Sequence, residues 1–404
     1  MDVTLLGTGG PAGFPQADCP CAACARALGA EARAATSALV DEVLLLDLTP
    51  GAALSAARAG HSVHRVQQVL LTHPHDGAAV EAPPELPAPV RVPDGRELTL
   101  LSGHRVRAMA LDSPGTGYAV TAPDGGRLLY LPPGGAPAGL GEPDHTFDVC
   151  LLDVTGRPDA LARLRAAGAV TWATEIVAVH LGHDVPPGAE LHRRVAAAGA
   201  RAVPDGTTLR AGDGMRTLPE VPEVPRRTLV LGGARSGKSA EAERRLAAFP
   251  QVEYVATGGR REGDAEWAER VTAHRARRPA DWTTTETCEL EPLLADDGPP
   301  LLIDCLALWL TDAMDRVNAW DDRAWRSGAP QRALAERVAG LTGALRRTRR
   351  MVVAVSNEAG WGVVPATASG RRFRDELGRL NAAVAAECEH VLLVVAGTAR
   401  VLRP

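Results

Sequence analysis

Gly232-Gly233-Ala234-Arg235-Ser236-Gly237-Lys238-Ser239 lies between an apolar run, Thr228–Leu231, and a helical stretch that continues to about Ala248. Its spacing is G-x-x-x-x-G-K-[ST]. A strand that turns through glycines into a helix aims successive backbone N–H groups, and the helix N-terminus, at one anion. The eight residues therefore read as a loop that cradles nucleotide phosphates. Lys238 is placed to reach the β- and γ-phosphates, and the Ser239 hydroxyl to ligate Mg²⁺. A glycine-rich turn can match this pattern by chance; the flanking strand and helix argue against chance here. Lys238 is also the only lysine among the 44 lysines and arginines. Arg serves everywhere else, so the position that keeps Lys is one that needs a compact ammonium on a flexible stem.

Working outward, Leu301-Leu-Ile-Asp304-Cys305 is a second apolar strand, and it ends in an acid. Asp304 has the position of a Walker B carboxylate, able to help hold Mg²⁺ and so join the nucleotide site; the plainer reading is an ordinary strand-end Asp. Val252–Ala256, Met351–Val355 and His390–Val395 read as further strands, and Asp264–Ala276 and Arg371–Cys388 as helices. Residues 292–300 and 318–330 read as loop-like interruptions. Short strands alternating with helices predict a mostly parallel sheet covered on both faces. Pro-rich 219–226 resists helix and sheet interior and reads as a linker between domains 1–218 and 227–404. The first domain is α/β too. Val3–Leu6, Val43–Asp47, Gln68–Thr72, Arg127–Leu131, Val149–Asp153 and Ile176–Val179 read as strands, and Leu54–Arg58 and Asp159–Ala167 as helices.

At 404 residues the chain is long for one core, which suggests two domains. A net charge of -5 points to no nucleic-acid or anionic-membrane partner. No apolar run reaches the roughly 20 residues that span a bilayer. The N-terminus lacks the basic start and apolar stretch of a signal peptide, so a cytoplasmic protein is expected. Of the seven cysteines, Cys19, Cys21 and Cys24 cluster. In a cytoplasmic chain that spacing reads as metal binding rather than a disulfide framework.

His274 is one of two histidines after residue 226, and Arg275, Arg277 and Arg278 flank it near a predicted helix end. Those charges disfavour imidazolium and attract a triphosphate. A neutral imidazole can attack the α-phosphorus of a nucleotide and expel pyrophosphate. A surface histidine at a basic helix end is the alternative.

Residues 227–404 resemble the bifunctional adenosylcobinamide kinase / adenosylcobinamide-phosphate guanylyltransferase family. The likeness rests on the phosphate loop, Tyr254-Val-Ala-Thr257, the His274 segment and Arg278-Pro-Ala-Asp-Trp282. It continues through Leu302-Ile-Asp-Cys305, Val355-Ser-Asn-Glu358, Gly362-Val-Val-Pro365, Arg372-Phe-Arg-Asp375, Gly378-Arg-Leu-Asn381 and Val394-Val-Ala-Gly397. The resemblance implies γ-phosphate transfer from ATP or GTP to adenosylcobinamide. GMP transfer from GTP through a guanylyl-histidine at His274 would follow, in a homotrimer. Relatives often carry a second histidine where this chain has Ala273. Glu358, Arg372 and Asp375 are candidates for substrate contacts or for structural ion pairs.

Residues 1–215 or so resemble the metallo-β-lactamase superfamily, nearest its phosphonate-pathway phosphodiesterase branch, and so imply an αββα sandwich. Carrying motifs are Leu6-Gly-Thr-Gly-Gly10, Leu46-Asp47, Leu71-Thr-His73-Pro-His75, Val179-His180-Leu-Gly-His183-Asp184 and Pro204-Asp-Gly-Thr207. The superfamily's H-x-H-x-D-H ends here in Gly77-Ala78, with Asp76 displaced by one position. The strand end that should supply a bridging Asp reads Leu131-Pro-Pro133. His73, His75 and His180 alone remain, too few for a two-metal hydrolase, which leaves lost hydrolysis or one zinc with an open position. The resemblance implies that His183 completes Cys19, Cys21 and Cys24 into a structural zinc site. The alternatives are a fusion whose first domain is also an active phosphodiesterase, and a GTP-switch binding module.

Overall fold

Short apolar strands with alternating faces build two sheets in the first part of the chain. The computed structural model describes residues 1–404 apart from 74–83, 85, 141–145, 213–223, 259–271, 273–277 and 404. The strands are β1 (Asp2–Gly7), β2 (Ser37–Val40), β3 (Leu44–Leu46), β4 (Gln68–Leu70), β5 (Glu97–Thr99), β6 (Arg105–Ala110), β7 (Thr116–Thr121), β8 (Arg127–Tyr130), β9 (Val149–Leu152), β10 (Glu175–Ala178) and β11 (Thr208–Arg210). They pair as β11-β1-β2-β3-β4 and as β10-β9-β8-β7-β6-β5.

The two sheets face each other across one apolar cluster. Val3, Leu5 and Leu44 of the first meet Val106, Tyr118, Leu128 and Leu151 of the second. Residues on the opposite faces are buried as well. Leu6, Leu39 and Leu45 pack with Ala52 and Ala56 of α2 (Ala52–Arg58), which follows the short α1 (Ala22–Arg26). On the second sheet β9 and β10 run parallel, so α3 (Pro158–Ala166) is a crossover and must cover a sheet face. The inner face is taken, so α3 lies outside, next to α4 (Ala189–Ala197), where Arg165 donates to the Ala198 carbonyl at 2.8 Å. The layering is αββα.

The chain divides into two compact units, Met1–Val224 and Pro225–Pro404. The second holds one seven-stranded sheet in the order β14-β13-β15-β16-β12-β17-β18. Its strands are β12 (Arg227–Gly232), β13 (Glu253–Ala256), β14 (Thr283–Glu286), β15 (Leu301–Asp304), β16 (Val352–Asn357), β17 (His390–Val395) and β18 (Thr398–Arg403). Only the edge strand β18 runs antiparallel. Core strands such as Leu229–Leu231 and Val352–Val355 are apolar on both faces. They pack with Trp309, Leu341 and Leu377 from the helices Leu306–Arg316, Ala329–Arg347 and Ala368–Ala386.

Of the two stretches read as loops, 292–300 overlaps the helix Leu290–Ala295, and 318–330 holds the helix Asp322–Arg326 and the start of Ala329–Arg347. Pro292 falls in a first turn, where its missing N–H costs nothing. Asp321 caps the second helix by accepting from the Ala324 amide at 2.6 Å. The predicted helix Asp264–Ala276 lies outside the described residues except for Thr272, and most of the linker does too.

Arg350 locks the amino edge of this sheet. Its guanidinium is 2.8 Å from the Glu253 carboxylate and donates to the carbonyls of Pro299 and Leu293 at 2.8 and 3.0 Å. Arg350→Met strands a largely buried carboxylate, so it should cost about 3–5 kcal/mol. Hydrogen exchange resolved by peptide checks this: protection should fall across β13 and β16 and hold in residues 1–212.

Candidate nucleotide site and metal-ligand clusters

The phosphate loop closes because its first residue has no side chain. A Cβ on Gly232 would stand 2.4 Å from Ser236 Oγ and 2.7 Å from the Val394 carbonyl oxygen. The turn folds back against the strand end, with the Ser236 amide donating to the Gly233 carbonyl at 3.3 Å. Arg235 at φ +55° and Gly237 at φ +94° use left-handed backbone to bring the chain round. Gly237 then caps α5 (Lys238–Leu246), and Ser239 is the second residue of that helix. Gly233, Ala234 and Arg235 form the exposed crest. Lys238 folds over it, its ammonium donating to the Gly233 carbonyl at 3.1 Å. The β17–β18 turn braces the loop from beneath: the Gly397 amide donates to the Ser236 carbonyl at 2.8 Å.

Strand register sets the rest of the edge. β16 lies between β12 and β15, pairing Gly232 with Asn357 and Asp304 with Val355. At about 4.8 Å per strand spacing, Asp304 stands about 10 Å across the edge from the loop. The strand order reverses at β12, the kind of crevice where open α/β sheets bind ligands. Tyr254 Oη donates to Asp304 Oδ2 at 2.8 Å. Burial, reinforced by Asp304, pushes that phenol far above its ordinary range and keeps it a donor. Arg278 sits with its guanidinium carbon 3.3 Å above the Tyr254 ring centroid. Thr257 Oγ1 stitches β13 to β15, donating to the Cys305 carbonyl at 2.7 Å and accepting from its amide at 2.9 Å.

The sequence placed Tyr254 and Thr257 in motifs without giving them roles, and read Arg278 only as part of the basic cluster around His274. The usable signal was position, since Tyr254 lies in, and Thr257 directly after, the strand that ends beside Asp304. Glu358 accepts from the Gly360 amide at 3.0 Å, shaping its own turn. Arg372 is spent on structure: it binds the Ala319 carbonyl and Asp322 and covers Trp325 at 4.8 Å. Asp375 is exposed and 3.2 Å from Arg374. Ala273 and His274 lie outside the described residues.

In the first unit, Cys21 caps α1, and Phe14, Ala23 and Ala27 pack around Cys24 in a small apolar cluster beneath that turn. His183 arrives from the loop after β10, pinned where the Leu181 amide donates to Thr8 at 3.0 Å. Cys19, Cys21, Cys24 and His183 bring their donor atoms within 4.8 Å of one another. His183 Nδ1 is 3.2 Å from Cys19 Sγ and 3.6 Å from Cys24 Sγ. A zinc tetrahedron with Zn–S of about 2.3 Å and Zn–N of about 2.0–2.1 Å has edges of about 3.5–3.8 Å, so the donor set and its spacing fit that ion. The Cys24 amide, 3.4 Å from Cys21 Sγ, lowers that thiol to about 7.

The histidine remnant is arranged differently. Asp47, buried at φ +58°, accepts from the Thr72 amide, the Thr72 hydroxyl and Tyr130 Oη at 2.7, 2.8 and 2.7 Å. His73 Nδ1 rests 2.5 Å from Thr72 Oγ1. His180 Nε2 donates to the Leu131 carbonyl at 2.9 Å, so that nitrogen offers no lone pair to an ion. His75 lies outside the described residues. Among the described residues, the Cys/His set is the one convergence of three or more metal-ligating side chains.

Burial lowers His180 to about 4 from its ordinary 6.5. Above pH 6.5 the ring is neutral both folded and unfolded. As pH falls from 6.5 toward 4, the unfolded chain takes up the proton first and stability drops. Between pH 7 and 5 the loss from this group should be about 2 kcal/mol. Urea unfolding at the two pH values should show that much less pH dependence in His180→Gln.

Residues 228–402 match the family described as cobinamide kinase / cobinamide phosphate guanyltransferase. The bifunctional adenosylcobalamin biosynthesis protein CobP of Pseudomonas aeruginosa is 44% identical over 180 residues, covering 42% of this chain and 94% of that protein. The protein CobU of Salmonella typhimurium is 38% identical over 174 residues, covering 42% and 95%. Among solved structures, a diphosphatase from the PhnP family covers 52% of this chain and 97% of its own at 19% identity and a TM-score of 0.38. Zinc-bound PqqB from Methylobacterium extorquens covers 52% and 100% at 19% identity and a TM-score of 0.37. No helix among the described residues is long and apolar enough to cross a membrane. With nearly the full length of these bifunctional relatives matched within a unit that carries a closed phosphate loop, the chain belongs to the cobinamide kinase / cobinamide phosphate guanyltransferase family.

Proposed function

We propose that residues 227–404 perform two successive transfers at one phosphate loop. In the first, the aminopropanol hydroxyl of adenosylcobinamide attacks the γ-phosphorus of ATP or GTP. The bond from that phosphorus to the β–γ bridging oxygen breaks, the nucleoside diphosphate leaves and the hydroxyl proton passes to solvent. In the second, a neutral His274 nitrogen attacks the α-phosphorus of GTP, pyrophosphate leaves, and the GMP is held as a phosphoramidate. A phosphate oxygen of adenosylcobinamide phosphate then attacks that phosphorus, frees the imidazole and yields adenosylcobinamide-GDP. The loop amides and Lys238 hold the triphosphate in both steps. Ser239 and Asp304 would hold Mg²⁺, which neutralises phosphate charge when bound.

The observation that carries this reading is the place of Arg278, four residues after His274 in the sequence. Arg278 is stacked on Tyr254, which binds Asp304 at the strand end. In the first unit, the same reading makes Cys19, Cys21, Cys24 and His183 a structural zinc site and assigns no hydrolysis to the His73 and His180 remnant. A homotrimer is the assembly that the resemblance implies, and the cytoplasm is the proposed compartment.

Incubation with α-labelled GTP and Mg²⁺ should leave acid-labile label on the native protein and none on His274→Ala. An unlabelled native protein would remove the covalent step. Metal analysis tests the other site: the native protein should purify with stoichiometric zinc, and Cys19→Ser should lose most of it. Unchanged zinc in that variant would sink the assignment.

A further inference from the structure

We infer that the corrin end of the acceptor seats in a groove above the phosphate edge, walled by Thr311, Trp320, Thr367, Ser369, Gly370 and Phe373, with a volume of about 510 Å³. The inference rests on the kinase and guanylyltransferase reading and adds the place where its acceptor binds.

Position comes first. Asn381, in the helix Ala368–Ala386, accepts from Ser356 Oγ at 2.6 Å and donates to the Asn357 carbonyl at 2.9 Å. That point of the helix is therefore level with the strand ends, because Asn357 pairs with Gly232. The helix leads on to His390, which pairs with Thr228 at the opposite edge. Its beginning must therefore stand above the phosphate loop's side of the sheet. At about 1.5 Å per residue, Phe373 and Thr367 lie about 12 and 21 Å beyond Asn381. Thr311 belongs to the helix that starts two residues after Asp304, about 8 Å along it. The groove thus overhangs the edge bearing Gly232 and Asp304. It is too far away to hold the reacting phosphate and near enough for an acceptor whose reactive hydroxyl is carried on an arm.

Its chemistry suits a macrocycle with apolar faces and an amide-bearing rim. Only 3% of the chain is aromatic, yet Trp320 and Phe373 share this wall with ring centroids 6.5 Å apart. The wall is preformed: Trp320 Nε1 binds Asp315, and Arg372 ties the second turn of the long helix to Ala319 and Asp322. Three hydroxyls, of Thr311, Thr367 and Ser369, line the same space and can meet amides. None of the six lining residues is charged, so the groove is not a second triphosphate site. The loop entering it leaves Trp361 76% exposed and Val363 95% exposed, a second apolar surface for a large ligand.

Ser369→Trp should fill the groove, and Trp361→Ser should strip the exposed lip without disturbing the core. Steady-state kinetics with adenosylcobinamide should show the acceptor KM raised at least about tenfold by the first and about threefold by the second. The nucleotide KM and acceptor-free GMP labelling should stay within about twofold of the native values. Unchanged acceptor KM in both variants overturns the assignment. So does an equal loss of GMP labelling, which would place the groove in the nucleotide site. A changed oligomeric mass with unchanged acceptor KM also overturns it, because the face would then serve self-association. Turnover of adenosylcobinamide by the native protein reports separately on the underlying reaction.

Discussion

The turn after β12 has to close on itself, and only a residue without a side chain at 232 lets it. Once Gly232 admits Ser236 against the strand end, the remaining geometry follows from the sheet. The amides that would meet phosphate oxygens are fixed by left-handed backbone at Arg235 and Gly237, and α5 starts where that turn ends. Asp304 reaches the site because β15 is registered two strands over, through β16. Little of this cradle comes from long side chains. A single ammonium suffices, since backbone dipoles supply the rest of the positive field. That is consistent with a composition that has given up lysine everywhere else.

The first unit shows two ways of satisfying polar groups in a packed interior. Around Asp47 each group has a protein partner: a buried carboxylate takes two hydroxyls and an amide, and His180 gives its proton to a carbonyl. Such a network stabilises neutral or paired groups. The cysteine cluster is the reverse. Three thiols and an imidazole converge with their soft donor atoms turned inward, from chain segments 164 residues apart. The first unit therefore holds both a self-completed polar network and a donor set whose spacing fits a zinc ion.

What could be read from the sequence was local and strongly patterned. The phosphate loop, β12, β15 and the clustered cysteines each announce themselves within ten residues, through glycine spacing, apolar runs or thiol spacing. Edge elements were opaque. β14 is Thr-Thr-Thr-Glu with no alternation, and β18 is mostly exposed and rich in Arg. An edge strand buries too little for hydrophobic period to mark it. Leu306–Arg316 was missed because its apolar run follows a strand directly, and periodicity cannot separate the two. The ties of Arg350 and Asn381 were beyond reach for another reason. They join residues 97 and 24–25 positions apart, which only the folded topology brings together.

Two different bonds of a triphosphate are broken in the proposed sequence, yet one loop can serve both. The γ-phosphoryl transfer needs the acceptor's hydroxyl at the outer end of the chain of phosphates. The guanylyl transfer needs an imidazole at the inner end, on the nucleoside side. A loop of backbone amides holds the β-phosphate region and leaves both ends accessible, so selection passes to whatever is brought to each end. In the proposed sequence His274 serves the inner end and the acceptor serves the outer one. The acceptor's arm then has only to exchange one terminal group, hydroxyl for phosphate, between the two reactions.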